Sequence, residues 1–320
     1  MSEIFEVLPG QEVPVGGIAA GFARLWANTK AQDQMAMQLN LVLHLGLATT
    51  ATDAVGQFQV AGHFARRYPC RVVVLCPLRE NHGPVELRAK IYGECYLGKS
   101  KDDTRCVEFV ALSYPPAAHI FLQNQVSVCL STDLPLYYWA HRFTSSRRLS
   151  AYRYLLTRAQ RVLLDSAIVA PDALSFPWPN RAAVRDLAYT RTRPLRQNLG
   201  QFLSRYAPGL ITAGLAGVTL RHRADLRAEA DCLLGWVKKG LDRCGAAAEA
   251  ISYEVTAEKC AGCLSLEFAY PGTGKIFRWV ADLAKNHSEF TGDLGTGRSV
   301  LTAGARLLEP EAALAEAMFS

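Results

Sequence analysis

The chain has 320 residues, of which 50% are hydrophobic and 20% are charged, and this composition excludes a disordered or fibrous protein. The uncharged stretch 110–132 contains two prolines and three side-chain amides, which argues against a membrane span. The N-terminus has no basic stretch ahead of an apolar one, so no secretory signal is predicted. We therefore expect a cytoplasmic protein that does not bind a membrane.

Positive charge is concentrated in the middle of the chain. The net charge is +6, but residues 142–227 contain 15 arginines, no lysine and four acidic residues, which makes this window +11. Guanidinium groups suit paired contacts to carboxylates or phosphates, so we expect an anionic partner to contact this part. A nucleic acid is not the predicted partner, because the pI near 8.8 is moderate and no nucleic-acid-binding motif is present.

The first half of the chain alternates between strand-like and helix-like patterns. The predicted elements are a strand over 39–47, a helix over 52–67, a buried strand over 71–76, an antiparallel hairpin over 85–98 and 104–114 with one solvated face, a helix over 115–130, a strand over 134–140, a helix over 147–160 and a strand over 161–170. This order predicts an α/β fold with a mixed sheet.

The segment 170–180 contains three prolines and is the predicted linker between two domains. We expect a mixed α/β domain over 1–171 and an α+β domain over 172–320. In the second domain the patterns predict one or two helices over 182–206, a strand over 218–222, a helix over 225–241, strands over 252–255, 263–270 and 275–280, and a short helix from Glu309.

Three motifs have a structural and a functional interpretation. The PGTGK segment 271–275 lacks the first glycine and the Ser or Thr of a phosphate-binding loop, so we interpret it as a hairpin turn. The glycines of 16–21 follow no convincing strand, which argues against a dinucleotide-binding site. The pair Cys260 and Cys263 lies either in a turn with both thiols reduced, which we favour, or forms a redox pair. The other seven cysteines are expected to be mostly reduced and buried.

No catalytic signature emerges, and no metal or cofactor is predicted, because the seven histidines fall at unrelated positions and the cysteines lack zinc-site spacing.

The segment 185–196 is more informative about function. Tyr189, Arg193 and Arg196 are predicted to contact an acidic partner, with Asp186 and Arg191 as a supporting ion pair. The alternative interpretation is a solvated arginine-rich helix face.

Four segments, in this order, resemble the glucose-6-phosphate dehydrogenase assembly protein family, OpcA. They are YPCRVVVL (68–75), DLPLYYWA (133–140) followed by VLLDS (162–166), DLAYTRTRPLR (186–196) and LLGW (233–236). The family often has tryptophan where this chain has Tyr189 and Leu195.

The resemblance implies a non-catalytic cytoplasmic protein that binds glucose-6-phosphate dehydrogenase and promotes its active oligomer. It also implies redox-responsive cysteines in some members, which we assign to no cysteine here. The alternative function is a sugar-phosphate sensor or an enzyme that binds a small anion with the arginine cluster.

Overall fold

The computed structural model describes residues 3–27, 37–78, 87–97, 104–258 and 263–320. The chain divides into two compact units, Met1–Leu187 with Pro310–Ser320 and Ala188–Glu309. Both units combine helices with a mixed sheet, which confirms the predicted α/β class.

The strands of the first unit are β1 (Gln11–Val13), β2 (Leu39–Leu45), β3 (Cys70–Pro77), β4 (Arg88–Leu97), β5 (Thr104–Tyr114), β6 (Leu136–His141), β7 (Arg161–Leu164) and β8 (Val184–Asp186). They form one sheet, sheet A, in the order β1-β4-β5-β3-β2-β6-β7-β8. The six strands from β5 to β8 in this order are parallel, whereas β1 and β4 are antiparallel to their neighbours. Their spatial order is that of a doubly wound nucleotide-binding sheet.

Helices cover both faces of sheet A. They are α1 (Glu3–Val7), α2 (Ile18–Trp26), α3 (Ala51–Arg67), α4 (His119–Cys129), α5 (Arg153–Arg158) and the C-terminal α10 (Pro310–Phe319). Side chains of one strand alternate between two separate cores: Val42 of β2 packs with α2, α4 and α5, whereas Leu41 and Leu43 pack with α1, α3 and α10. Both faces of the central strands are therefore apolar, as expected for a buried parallel sheet.

Two predictions for the first unit are wrong. The β5 strand is buried along its described side chains, because it lies between β3 and β4 under helices on both faces, so the predicted hairpin has no solvated face there. Its connecting KSKDD loop lies outside the described residues. The segment 147–160 is a 3₁₀ helix over Ser146–Tyr152 followed by α5, not one regular helix.

The boundary between the units also differs from the predicted one after residue 171. The proline-rich segment 170–180 belongs to the first unit, where the Asp172 carboxylate accepts hydrogen bonds from the Ser146 amide at 2.9 and 3.0 Å. After it, β8 adds to the edge of sheet A, and the chain enters the second unit at Ala188. The C-terminal α10 returns to the first unit because it buries Leu314 and Met318 in the core beside α3.

The second unit packs helices on one face of sheet B. Its helices are α6 (Leu187–Arg191, beginning at the boundary), α7 (Arg193–Leu203), α8 (Pro208–Thr212) and α9 (Arg227–Arg243). Its strands are β9 (Gly217–His222), β10 (Ser252–Ala257), β11 (Cys263–Ala269), β12 (Ile276–Asp282), β13 (His287–Asp293) and β14 (Ser299–Ala303), in the order β10-β9-β11-β12-β13-β14. Phe277, Trp279 and Ala281 alternate with more exposed neighbours along β12 and face the core. This single apolar face is typical of a largely antiparallel sheet.

Candidate functional site

The predicted partner-binding segment contains a break between two helices. Here α6 ends one residue before Thr192 and α7 begins one residue after it, with Pro194 in its first turn. The fully buried Thr192 hydroxyl donates to the Tyr189 carbonyl oxygen at 2.7 Å and accepts from Arg196 Nε at 3.2 Å. Thr192 therefore ties the last turn of α6 to the first turn of α7.

This break brings Tyr189 and Arg196 together. The Arg196 guanidinium carbon lies 3.7 Å from the centroid of the Tyr189 ring, and its Nη1 donates to the Tyr189 hydroxyl at 2.7 Å. Its Nη2 donates to the Tyr189 carbonyl oxygen at 3.3 Å. The tyrosine remains 39% exposed, and a cation–π contact at such a site contributes about 0.5–1 kcal/mol. Two of the predicted partner-binding residues thus form one preorganised, solvent-facing pair.

The other positions of the segment divide between surface and core. Arg193 is the exposed first residue of α7. Leu195 is fully buried in the core of the second unit. Tyr189 is therefore partly exposed to solvent, whereas Leu195 packs in the core.

Within the second unit, Arg191 binds a carboxylate that the sequence does not point to. Its Nε and Nη2 donate to Glu229 Oε1 at 3.0 and 2.6 Å, and Glu229 is 4% exposed on α9. The Arg191 carbonyl oxygen accepts from the Leu308 amide at 3.0 Å. These contacts hold α6 against α9 and against Leu308, which lies at the end of the second unit.

The predicted supporting partner, Asp186, is the last residue of β8 in the first unit and accepts a hydrogen bond from the Ser166 amide at 3.0 Å. The Asp186–Arg191 pair would cross the division between the units and stays a prediction. The backbone hydrogen bond to Asp186 extends the contacts between β8 and the chain that follows β7.

The cysteines depart from the expectation of reduced thiols. Cys95 and Cys106, directly opposite each other on β4 and β5, form a disulfide. Cys263, the first residue of β11, is also disulfide-bonded, and Cys260 lies outside the described residues. The free thiols of Cys70 and Cys76 are fully buried, and burial raises the pKa of Cys76 to about 12, which makes it a poor nucleophile.

The PGTGK segment 271–275 is a turn between β11 and β12, as the sequence predicts. The Thr273 hydroxyl donates to the Tyr270 carbonyl oxygen at 3.0 Å and accepts from the Lys275 amide at 3.2 Å. The Lys275 ammonium donates to the carbonyl oxygens of Leu210 and Ala213, each at 2.8 Å. The lysine therefore satisfies carbonyl groups at the end of α8, where a cation is favourable.

A polar cluster in the first unit escapes sequence reasoning because its members are far apart in the chain. His141 Nε2 lies 2.8 Å from Asp53 Oδ2, and Arg142 Nε lies 2.5 Å from the same oxygen. Burial opposes ionisation of Asp53. The hydrogen bond with His141, the hydrogen bond with Gln57 and the charge of Arg142 nevertheless hold the pKa of Asp53 below its usual value. Arg142 has a positive φ of 50°, which is strained for a residue with a side chain. The cluster anchors the end of β6 to α3.

Two searches of the described parts of the chain bear on function. No group of three or more His, Cys, Asp or Glu side chains there is arranged to hold a metal ion. None of the helices in these parts combines the length and apolar character needed to cross a membrane.

Comparison with known proteins gives one informative match. No protein-family model matches the chain. It is 22% identical over 188 residues to the "Putative OxPP cycle protein OpcA" of Synechocystis sp.. The match confirms the resemblance to the OpcA family. It covers 57% of this chain and 39% of the OpcA protein, so the chain spans about two fifths of the length of that curated relative.

Proposed function

We propose that the chain is a non-catalytic assembly factor that binds glucose-6-phosphate dehydrogenase in the cytoplasm and favours its active oligomer. The similarity to a protein named for the OxPP cycle supports a link to the oxidative pentose phosphate pathway. The Tyr189–Arg196 pair carries the finer proposal, in which Tyr189, Arg193 and Arg196 contact the dehydrogenase.

The geometry of the pair suits a protein interface. Tyrosine and arginine are enriched among the residues that dominate binding energy. Because Thr192 and the Tyr189–Arg196 contact already hold both side chains, binding would immobilise few additional rotamers, which lowers its entropic cost. The excess of positive charge along residues 142–227 of the sequence favours an acidic surface on the enzyme and would accelerate encounter.

Activation without catalysis needs only a difference in affinity. A protein that binds the active oligomer more tightly than the inactive form shifts the population toward the active one by that difference. The chain therefore needs no reacting group of its own.

The small-anion alternative fits the arginine cluster less well. Arg191 is bound to the buried Glu229 carboxylate, and Arg196 lies on the Tyr189 ring. These guanidinium groups serve protein contacts, which suits a docking surface better than a phosphate pocket.

Direct binding tests the proposal. The immobilised chain is expected to retain glucose-6-phosphate dehydrogenase from the same organism, and to show no turnover of glucose 6-phosphate by itself. Tyr189→Ala removes the ring and is expected to weaken binding at least about tenfold, whereas Tyr189→Phe keeps the ring and most of the affinity. Leu301→Ala, at a similarly exposed apolar position of the same unit, is the matched control and should leave affinity unchanged.

Failure of the wild-type chain to retain the enzyme would refute the proposal. Binding of glucose 6-phosphate to the chain alone, lost in Arg193→Ala/Arg196→Ala, would support the small-anion alternative instead.

A further inference from the structure

The carboxyl ends of β2 and β6 lie side by side at the centre of sheet A. From β2 the chain passes through α3 to β3 on one side, and from β6 it passes through α5 to β7 on the other. In doubly wound sheets this divergence marks the edge where ligands bind.

At this edge the two strand ends touch. The Gly46 amide donates to the His141 carbonyl oxygen at 2.6 Å, and a side chain at Gly46 would overlap the Arg142 carbonyl group. The crevice between the strands is therefore closed to a dinucleotide, and the first turn after β2 lacks the glycine pattern that binds one.

A cavity of about 150 Å³ remains beside this closed point. Its described lining residues are His44, Gly46, Leu47, Pro77, Pro116, Phe143, Arg148, Ala151 and Tyr152. Among them Arg148 is the charged side chain, and none is a carboxylate. The volume is below the roughly 300 Å³ at which pockets for drug-sized ligands begin, so the cavity suits a compact ligand.

A buried relay of hydrogen bonds ends at this cavity. His44 Nδ1 lies 2.6 Å from the Tyr138 hydroxyl, and Nε2 lies 2.7 Å from the Tyr114 hydroxyl. The Tyr114 hydroxyl lies 2.8 Å from that of Tyr152. Burial lowers the pKa of His44 to about 3, so the ring is neutral near pH 7, with one nitrogen donating and the other accepting.

The direction of the relay follows from Tyr138. This side chain is fully buried, and His44 Nδ1 is the acceptor that the described residues offer to its hydroxyl proton. A buried donor needs an acceptor, so Tyr138 donates to Nδ1 and the His44 proton resides on Nε2. Nε2 then donates to the Tyr114 oxygen, and Tyr114 donates to the Tyr152 oxygen. The Tyr152 proton is thereby left for an acceptor in the cavity that Tyr152 lines.

We propose that this cavity binds a small oxyanion, the phosphate or carboxylate group of a compact metabolite, through Arg148 and the Tyr152 hydroxyl. A cation and an oriented O–H donor, with no carboxylate among the described lining residues, match a ligand that only accepts hydrogen bonds. The site lies within the first unit, and it stands independently of the proposed function.

Calorimetric titration of the full chain with inorganic phosphate, and separately with acetate, tests this site and distinguishes the two chemistries. At least one anion is expected to bind saturably. Tyr152→Phe should weaken that binding about tenfold or more, because a hydrogen bond to a charged group is lost. Tyr154→Phe is the matched control: the Tyr154 hydroxyl is buried without a hydrogen-bond partner among the described residues, and its loss should leave the Kd unchanged.

Arg148→Gln removes the positive charge and should weaken anion binding more than Tyr152→Phe does. The proposal is overturned if neither anion binds saturably, or if Tyr152→Phe and Tyr154→Phe weaken binding equally.

The relay has its own test, which needs no ligand. Nitrogen NMR of the wild-type chain is expected to show His44 protonated at Nε2 and bare at Nδ1. In Tyr138→Phe the donor to Nδ1 is gone, and the Nδ1 resonance should shift. A proton on Nδ1 in the wild-type chain would contradict the direction of the relay and with it the oriented Tyr152 donor.

Discussion

The contacts around Arg191 show how one residue pair can support a surface that it does not itself form. Glu229 is 38 residues away in the chain, and its side chain is 5% exposed where it binds Arg191. No local pattern reveals such a pair, whereas the exposure of Tyr189 and of the charged Arg193 could be anticipated from the sequence. Sequence reasoning therefore reaches the surface residues of the candidate site better than the buried group beneath them.

Removing the buried partner should be costly. Glu229→Gln removes the charge from the buried carboxylate that accepts two Arg191 hydrogen bonds, and breaking this buried ion pair is expected to lower the free energy of unfolding by about 3 kcal/mol. Urea denaturation measures the change. Asp231→Asn is the matched control, because Asp231 pairs with Arg227 in solvent on the same helix and its loss should cost less than about 1 kcal/mol. Equal losses in the two variants would contradict a buried supporting role for Glu229.

His44 makes the stability of the first unit depend on pH. Burial holds its pKa at about 3, below the ordinary value of 6.5, so the unfolded chain takes up a proton first as the pH falls. The stability contributed by neutral His44 is complete above pH 6.5 and is lost progressively between pH 6.5 and about 3, by up to about 1.4 kcal/mol per pH unit. Burial also lowers the pKa of His141, which acts in the same direction.

Urea denaturation between pH 7 and pH 5 is expected to show this loss in the wild-type chain. In His287→Gln, which lacks an exposed histidine of the second unit, the free energy of unfolding should fall with pH as it does in the wild-type chain. A stability that is constant or rises as the pH falls to 5 would contradict a neutral, buried His44.

At the scale of elements, two glycines of the first unit are expected to change stability in opposite directions when they are replaced by alanine. Gly46 follows β2, and an added Cβ would overlap backbone atoms of Arg142 and Phe143, which cannot move aside like a side chain. Gly46→Ala is therefore expected to destabilise the chain by about 1–3 kcal/mol. Gly56 lies within α3 with open space around it, and Gly56→Ala should stabilise the chain by about 0.5–1 kcal/mol.

Thermal unfolding tests whether Gly46→Ala lowers the melting temperature and Gly56→Ala raises it. A neutral Gly46→Ala would show that the ends of β2 and β6 can separate, against the closed strand edge of the structure.

The elements that sequence reasoning found are those with a strong periodic signal. The strand β3 contains a continuous apolar run, β2 is rich in leucine, and α3 carries apolar residues at helical spacing, so their bounds agree closely with the predicted ones. The strands β13 and β14 were not predicted. The sequence HSEFTGD of β13 is polar, and only its register beside β12 places Phe290 in the core. Tertiary pairing, not propensity, defines this strand.

At the scale of the whole molecule, the domain boundary predicted from proline content differs from the division between the two compact units. The three prolines of 170–180 lie in an irregular segment that still belongs to the first unit, since β8 after it extends sheet A. The return of α10 to the first unit depends on contacts across the full length of the chain, which no local pattern encodes. The helix itself was predictable, but the unit to which it belongs was not.

The concentration of this chain that activates glucose-6-phosphate dehydrogenase half-maximally, measured at low and high salt, tests the proposed function most directly. Arg193→Ala/Arg196→Ala should raise this midpoint about 30-fold at low salt, equivalent to about 2 kcal/mol. The melting temperature should fall by only about 1–4 °C, because the loss of the exposed Arg196–Tyr189 contact costs little stability. Arg227→Ala/Arg278→Ala removes the same charge from exposed positions of the same unit and should leave the midpoint within about threefold. An unchanged midpoint in the Arg193→Ala/Arg196→Ala chain would contradict docking through this segment.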